Sequence, residues 1–445
     1  MMRSKLSWSD LRGVRAGVWG LGREGMANWR KLGVLGAERI AVDDQPAAAD
    51  IDGVPLLPTR EGGLEALERC DVVVKTPGIS RYIPEVARLE QRGIPVVGGL
   101  GLWLQEASAE RVVCVTGTKG KSSVVSIAGH LLAGLGHRGM VGGNIGDPPY
   151  DPELGAQPWD YWVIEVSSYQ AMDLASSPPV VGVTSLHPDH LPWHGGEVEN
   201  YYRDKLSACS QPGADLTVAN GDSDLIRARS GLLGPRVDWV SARDEPGATW
   251  MDPLGLLGDH NRRNALIARH CLLALGVPEA TDDAALCQAA QGYRPLRSRL
   301  QVIGDIEGVT FVDDSLSTNV LPTVAAVEAF GCRRVALIVG GQDRGIDYAP
   351  LASALRQRQA PTYVLTLPDS GPRISAAIQA ADGEPGTGLV GVTDCPGLEA
   401  AVTAGFRWAR PDGVVLLSPA APSFGHFRDY RDRGDAFARA VHAFS

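Results

Sequence analysis

VVCVTGTKGKSSVVSIAGHLLAGLG, residues 112–136, is the stretch on which the fold turns. Val112 to Val115 is a short apolar, β-branched run of the kind that forms a buried strand, and Ser122 to Leu135 is an apolar-rich stretch that predicts a helix. Between them lie Thr116, Gly117, Thr118, Lys119, Gly120, Lys121, Ser122 and Ser123. Glycines in such a turn let backbone N–H groups curl around phosphate, and the following helix N-terminus adds partial positive charge. Lys121 would reach the terminal phosphates of a nucleoside triphosphate, and the Ser122 hydroxyl would ligate magnesium. The spacing is G-x-x-G-K-S, two residues shorter than the usual phosphate-binding loop.

Working outward, two further stretches have the same strand-to-glycine character. Upstream, Val14 to Trp19 enters GLGREG, residues 20–25, a helix is expected next, and Asp43 follows about 20 residues on, where an acid could accept hydrogen bonds from a ribose. VVVKTPGIS, residues 72–80, reads as a second strand and turn. Downstream of the central loop, YWVIEVSSYQ (161–170) and VVGVTSLHPDH (180–190) read as buried strands with polar ends. VTFVDDS, RRVALIVGGQDRG, APTYVLTLP and GVVLLSP then supply four more strands ending in polar residues or glycine. Ligands sit outside the carboxyl ends of such strands. The fold class expected is α/β, in three domains: a Rossmann-like one over 1–107, a central P-loop ATPase-like one over 108–297, and a second Rossmann-like one over 298–445.

Composition narrows the function. At 445 residues the chain is long enough for about three domains, and 44% hydrophobic residues suffice for a core in each. The net charge of −10 with no basic run argues against a nucleic-acid partner. No apolar stretch approaches the ~20 residues that span a bilayer, and the first residues lack the apolar region of a secretory signal, so a cytoplasmic protein without membrane insertion is expected. Seven scattered cysteines form no C-x-x-C pair, which excludes a zinc ribbon and a disulfide framework.

Several single residues invite a role. Glu165 closes an apolar strand, where a carboxylate is costly unless a cation or hydrogen bonds compensate it; a magnesium ion or a basic neighbour would each do so. His190 and His194 stand four apart, but Pro192 and Pro188 break the helix that a zinc pair would need. His190 remains as a candidate ligand of a metal or an acidic substrate, whereas His187 and His194 read as surface or loop packing. Lys205, in YYRDK, reads by composition as a solvent-facing charge. GLGREG alone also suits a nicotinamide dehydrogenase, which would leave TGTKGKSS without a purpose, and a non-catalytic nucleotide-binding regulator is a further possibility.

VTGTKGKSS, EVSSYQ, SLHPDHLPWHG, YYRDK, GDHNRRNALIA, RSRLQ, DDSLSTN, GGQDRGIDY and LLSPAAPSFGHFRDYRDRG, in this order along almost the whole chain, resemble the Mur ligase family of ATP-dependent amide ligases. The resemblance implies a glutamate-adding enzyme of peptidoglycan precursor synthesis acting on UDP-N-acetylmuramoyl-L-alanine through an acyl phosphate. Arg23, Glu24, Asp43, Thr76, Gly78, Asn144 and Ser167 would bind that UDP substrate. Gly117 to Ser123, with Asn261, Asn264, Arg299 and Asp314, would bind ATP. Lys121, Glu165, His190 and Lys205 would be catalytic, with Ser122, Glu165, His190 and a carbamylated Lys205 holding magnesium. A carbamate turns a cation into an anion that can ligate the ion.

The amino-acid site departs from the D-glutamate enzymes of the family, in which lysines stand at the positions of Leu316 and Arg344. Pro422 also replaces a small residue or cysteine. Thr318, Arg344, Ser423, Phe424 and Tyr430 remain as glutamate contacts, and Arg344 can grip a carboxylate with two parallel N–H groups. The pattern D-D-S-L-S-T with G-G-x-D-R-G resembles a subgroup of the family that adds L-glutamate and relies on a separate epimerase, which implies L-glutamate and such a partner here; D-glutamate, or the substrate of another Mur-type or folylpolyglutamate-type ligase, is the alternative. A monomer is expected.

Overall fold

The computed structural model describes residues 3–44, 49–155, 157–246, 248–381 and 388–444. Within them the chain is α/β, with three six-stranded sheets. The first contains β1 (Arg15–Trp19), β2 (Glu38–Val42), β3 (Asp50–Ile51), β4 (Val54–Leu57), β5 (Val72–Lys75) and β6 (Val96–Gly98), in the order β3-β4-β2-β1-β5-β6. The second contains β7 (Val112–Thr116), β8 (Gly139–Gly143), β9 (Tyr161–Glu165), β10 (Val180–Val183), β11 (Leu216–Asn220) and β12 (Arg236–Val240), in the order β12-β11-β10-β7-β9-β8. The third contains β13 (Gln301–Ile306), β14 (Val309–Asp313), β15 (Val335–Gly341), β16 (Thr362–Asp369), β17 (Leu389–Asp394) and β18 (Val414–Leu417), in the order β13-β14-β18-β15-β16-β17. Pairing is parallel except at two sheet edges, β3 with β4 and β13 with β14. Inner strands such as β5, β7, β10, β15 and β18 carry unbroken apolar runs. Edge strands such as β13 and β17, whose side chains alternate with or face solvent, lack that signature and escape a reading based on it.

The second sheet places the central glycine turn at a topological switch. β7 lies between β9 and β10, where the strand order reverses, and such a reversal opens a crevice at the strands' carboxyl ends. The helix that follows spans Lys121–Gly134, and its apolar residues, among them Val124, Ile127 and Leu131, are fully buried. Two glycines of the turn are obligatory. Gly117 has φ +137° and a Cβ there would sit 2.1 Å from Thr184 Oγ1; Gly120, at φ +89°, caps the helix in the left-handed region.

The chain packs as two compact units: Met1–Pro253 with Arg263–Tyr293, and Leu254–Arg262 with Arg294–Ser445. Each expected domain stretch holds one sheet, but the first two sheets are gathered into a single unit. The reason is apolar: the helix Gly99–Leu104 is buried along its whole length, and Trp8, Leu100, Leu102 and Trp103 share one core cluster with Tyr150, Val166 and Leu174 of the second sheet's connections. Burying a large apolar side chain contributes roughly 1.5–3 kcal/mol. All seven cysteines are free. Among the described residues no helix is long and apolar enough to cross a membrane.

Candidate active site

At the carboxyl end of β7 two lysines converge on one carbonyl. Lys121 Nζ donates to the carbonyl oxygens of Gly117 (2.9 Å) and Thr118 (3.2 Å), and Lys205 Nζ donates to that of Gly117 at 3.0 Å. Lys205 is on the helix Val198–Leu206, and the reading of it as a solvent-facing charge is corrected: only 3% of it is exposed. Burial, then the positive charge of Lys121, pushes its ammonium well below the ordinary lysine range. Burial of this kind favours the neutral amine, the form that reacts with carbon dioxide.

The turn itself is braced from β10. The Thr118 N–H donates to the Ser185 carbonyl (2.8 Å), the Lys119 N–H to Ser185 Oγ (2.8 Å), and Thr184 Oγ1 to the Lys119 carbonyl (2.6 Å). Thr118 Oγ1 accepts from the His187 N–H at 3.0 Å and lies 2.8 Å from Tyr201 Oη. Ser122 is buried at the helix start, with Ser123 beside it. Asn264, in the same unit, approaches Gly120 so closely that a Cβ on that glycine would meet its side chain at 2.9 Å.

Glu165 ends β9, whose register pairs it with Val115 of β7. Only 2% of it is exposed, and Oε1 accepts from Asn144 Nδ2 at 2.7 Å. Its other oxygen, Oε2, is buried without a hydrogen-bond partner. Lys205 attracts this carboxylate without hydrogen-bonding to Oε2, and an orphaned carboxylate oxygen is costly unless a cation completes it. Magnesium takes one or two carboxylates with nucleotide phosphates, so the donor set fits it. His190 is on the surface, with Nε2 3.7 Å from Asp189 Oδ1. Among the described residues no three His, Cys, Asp or Glu side chains converge as a protein-only metal centre would demand.

The residues expected to bind the UDP substrate meet this strand end from the first sheet. Arg23 Nη2 donates to the Asn144 carbonyl at 2.8 Å, and Gln170 Nε2 donates to Glu24 Oε1 at 2.6 Å. Ser167 and Gln170 cap the short helix after β9 reciprocally. Burial raises the Glu24 carboxyl to about 7. Asp43 Oδ2 accepts from the Leu21 N–H at 2.6 Å, which ties it to the glycine turn it was expected to serve. Thr76 packs against Gly20, where a Cβ would fall 2.2 Å from its hydroxyl, and the Gly78 carbonyl accepts from Trp193 Nε1 at 3.2 Å. Beneath them Asp173 pairs with both Lys75 and Arg81, at 2.5 Å each, in a buried triad that composition could not signal.

The reading of His194 as surface or loop packing is half corrected. It lies in a loop turn, yet it is fully buried, with Nδ1 2.6 Å from Asp204 Oδ2 and Nε2 3.0 Å from Ser168 Oγ.

In the second unit the candidate residues cluster at the ends of β14, β15 and β18. Arg344 donates to Gln342 Oε1 at 2.8 Å and lies over the half-exposed Phe424 ring at 5.6 Å. Ser423 is buried beside it in sequence. Thr318 is in the turn that Asn319 closes by capping the helix Val320–Glu328. Tyr430 opens the helix Tyr430–His442, its Oη accepting from Arg431 Nε. Asp314 is buried and accepts from Ser418 Oγ at 2.7 Å; burial raises its carboxyl to about 7. Arg299 and Asn261 belong to this unit as well, whereas Asn264 belongs to the first. Missed by the sequence reading is Arg433, fully buried, whose guanidinium donates to the carbonyls of Ser315 (2.8 Å), Ala421 (3.1 Å) and Gly340 (3.5 Å). One side chain thus fastens all three strand-end loops.

Comparison with known proteins was made on this geometry. A family model described as "Mur ligase middle domain" matches residues 115–252, and one described as "Mur ligase, glutamate ligase domain" matches residues 298–421. The chain is 41% identical to a UDP-N-acetylmuramoyl-L-alanine–L-glutamate ligase of Micromonospora sp., across 97% of each chain. It is 40% identical to the protein of the same name from Salinispora tropica, across 97% of this chain and 98% of that one. Among solved structures, the MurF ligase of Thermotoga maritima in complex with ADP superposes with a TM-score of 0.55, covering 98% of this chain and 100% of the other; at 14% identity this speaks to the fold alone.

Proposed function

Because the chain belongs to the Mur ligase family, we propose that it joins L-glutamate to UDP-N-acetylmuramoyl-L-alanine at the expense of ATP, in peptidoglycan precursor synthesis. The observation that carries the reading is near-full-length identity of 40–41% to relatives bearing that name. Lys121 and the buried Lys205, which share the Gly117 carbonyl, together with the orphaned carboxylate oxygen of Glu165, support the chemistry.

The L-alanine carboxylate attacks the γ-phosphate of ATP, and ADP leaves. Lys121 neutralises charge spread over the transferred phosphoryl. Glutamate's amine then attacks the acyl carbonyl, and the tetrahedral intermediate expels phosphate to leave the amide. Ser122, Glu165 and, as a carbamate, Lys205 would hold magnesium, whose positive charge offsets that of the phosphates; His190 is a further candidate for it. In this reading Arg23, Glu24, Asp43, Thr76, Gly78, Asn144 and Ser167 serve the UDP substrate. Asn261, Asn264, Arg299 and Asp314 serve ATP, and Arg344, Thr318, Ser423, Phe424 and Tyr430 serve glutamate. The domains would run 1–107, 108–297 and 298–445. The enzyme would act as a cytoplasmic monomer, with an epimerase acting on its product.

Each glutamate enantiomer is supplied separately with UDP-N-acetylmuramoyl-L-alanine and ATP, and phosphate release is followed. Release with L-glutamate is expected. Exclusive use of D-glutamate overturns the stereochemical assignment, and no acceptor-dependent release with either overturns the reaction.

A further inference from the structure

Asp204, Tyr82, Ser80 and Trp193 join the loop after β5 to the helix that carries Lys205, and the reaction assigned above does not use them. Tyr82 Oη donates to the Asp204 carboxylate, 3.1 Å from Oδ2 and 3.3 Å from Oδ1. The same carboxylate accepts from His194 Nδ1 at 2.6 Å. Ser80 Oγ donates to the Trp193 carbonyl at 2.5 Å, and Trp193 Nε1 donates back to the Gly78 carbonyl at 3.2 Å. The Trp193 ring stacks on Tyr169 at 4.3 Å and His194 packs edge-on against Tyr201, so the segment is held from both sides.

Ser168, His194 and Asp204 form a hydrogen-bonded chain with the order of a hydrolytic triad. Hydrolysis is excluded by burial: Ser168 is 3% exposed and His194 0%, so no acyl group reaches the hydroxyl. What the chain does instead is mechanical. His194 cross-links the segment after Glu165 to the helix of Lys205, and Asp204, the residue before Lys205, is where the loop of the first sheet enters the same network.

We propose that Tyr82 and Asp204 are positioning residues that convert binding of the acceptor's nucleotide half, at the loop holding Thr76 and Gly78, into the placement of Lys205 beside Gly117. This rests on the reading of the acceptor given above. Binding energy from a remote part of a substrate raises kcat when it is used to position groups at the reacting centre.

The full chain is assayed with UDP-N-acetylmuramoyl-L-alanine and with N-acetylmuramoyl-L-alanine lacking UDP, as wild type, Tyr82→Phe and Ser80→Ala. Tyr82 is 42% exposed and loses only a hydroxyl, so the fold is kept; an unchanged thermal midpoint checks this. Truncation is expected to lower wild-type kcat about tenfold or more. Tyr82→Phe lowers kcat on the whole acceptor by roughly five- to tenfold with KM changed less than about twofold, and narrows the gap between the two acceptors; Ser80→Ala acts in the same direction. Equal losses on both acceptors, a rise in KM alone, or unchanged rates each overturn the coupling. If the truncated acceptor turns over too slowly to measure, the split between kcat and KM on the whole acceptor decides. A wild type inactive on both acceptors refutes the assigned reaction, which is a distinct outcome.

Discussion

The glycine turn at β7 and the strand-end cluster of the second unit solve two problems with opposite means. At β7 the charged side chains themselves are buried: Lys205 and Glu165 are almost inaccessible, and Lys121 bends back onto carbonyls of its own loop. In the second unit the groups proposed to meet glutamate are outside, Phe424 at 47% exposure with Arg344 over it, while the buried Arg433 guanidinium donates its hydrogen bonds to backbone carbonyls. Phosphoryl transfer gains from fixed charges in a medium of low dielectric, where each is worth more than in water. Glutamate bound there, as proposed, would have to enter and leave, which suits contacts carried on surface loops.

If that contrast holds, Lys121→Ala gives the largest effect: acceptor-dependent phosphate release falls by about 10³-fold or more, with circular dichroism unchanged. A near-normal rate would end the assignment of the turn. Lys205→Ala is expected to cost roughly 10²-fold, partly restored by added short-chain carboxylates that stand in for a carbamate; full activity without them would make the buried amine merely structural. On the second unit the effect moves to affinity. Arg344→Ala raises the KM for glutamate about tenfold with a smaller change in kcat, and Arg344→Lys restores part of it. A loss confined to kcat would place Arg344 in the chemistry and erase the difference between the two sites.

The smallest effect is one of pH. Glu24 has a folded-state value of about 7 against an ordinary 4.5, chiefly through burial. The folded protein therefore holds this proton more tightly than the unfolded chain. Its contribution is fully present below about 4.5 and is lost as pH rises through about 7. Glu24→Gln should remove that slope and stabilise the protein by roughly 1–3 kcal/mol at pH 8, read as an upward shift of the urea midpoint, with no gain at pH 4.5. A slope that survives the substitution assigns it to other groups.

The two regions were also unequally legible. TGTKGKSS could be read as a turn between strand and helix because the proposed phosphate cradle is local: the glycines, the lysine and the hydroxyl are all within eight residues, and φ values of +137° and +89° demand the glycines. Glu165 was legible for a similar reason, as a carboxylate at the end of an apolar run. Lys205 was not, since YYRDK reads as polar and only the fold brings its ammonium over the Tyr201 ring (5.0 Å) and onto the Gly117 carbonyl (3.0 Å). His194 and Asp204 are ten residues apart across the Gly195-Gly196 turn, Asp173 is 98 residues from Lys75, and Arg433 is 118 from Ser315. No spacing rule reaches so far, because such pairs are set by which strand ends a sheet order brings together.

By itself the sequence determined the α/β class and the position of the glycine turn, because apolar periodicity and glycine conformation act over a few residues; the kind of ligase was legible only through the resemblance of its motifs to the family. Only the tertiary structure decided that the first two sheets share one core, that a lysine is stripped of water beside Gly117, and that one guanidinium fastens three loops. Desolvation is set by everything packed around a group, and that surrounding exists only once distant segments have met.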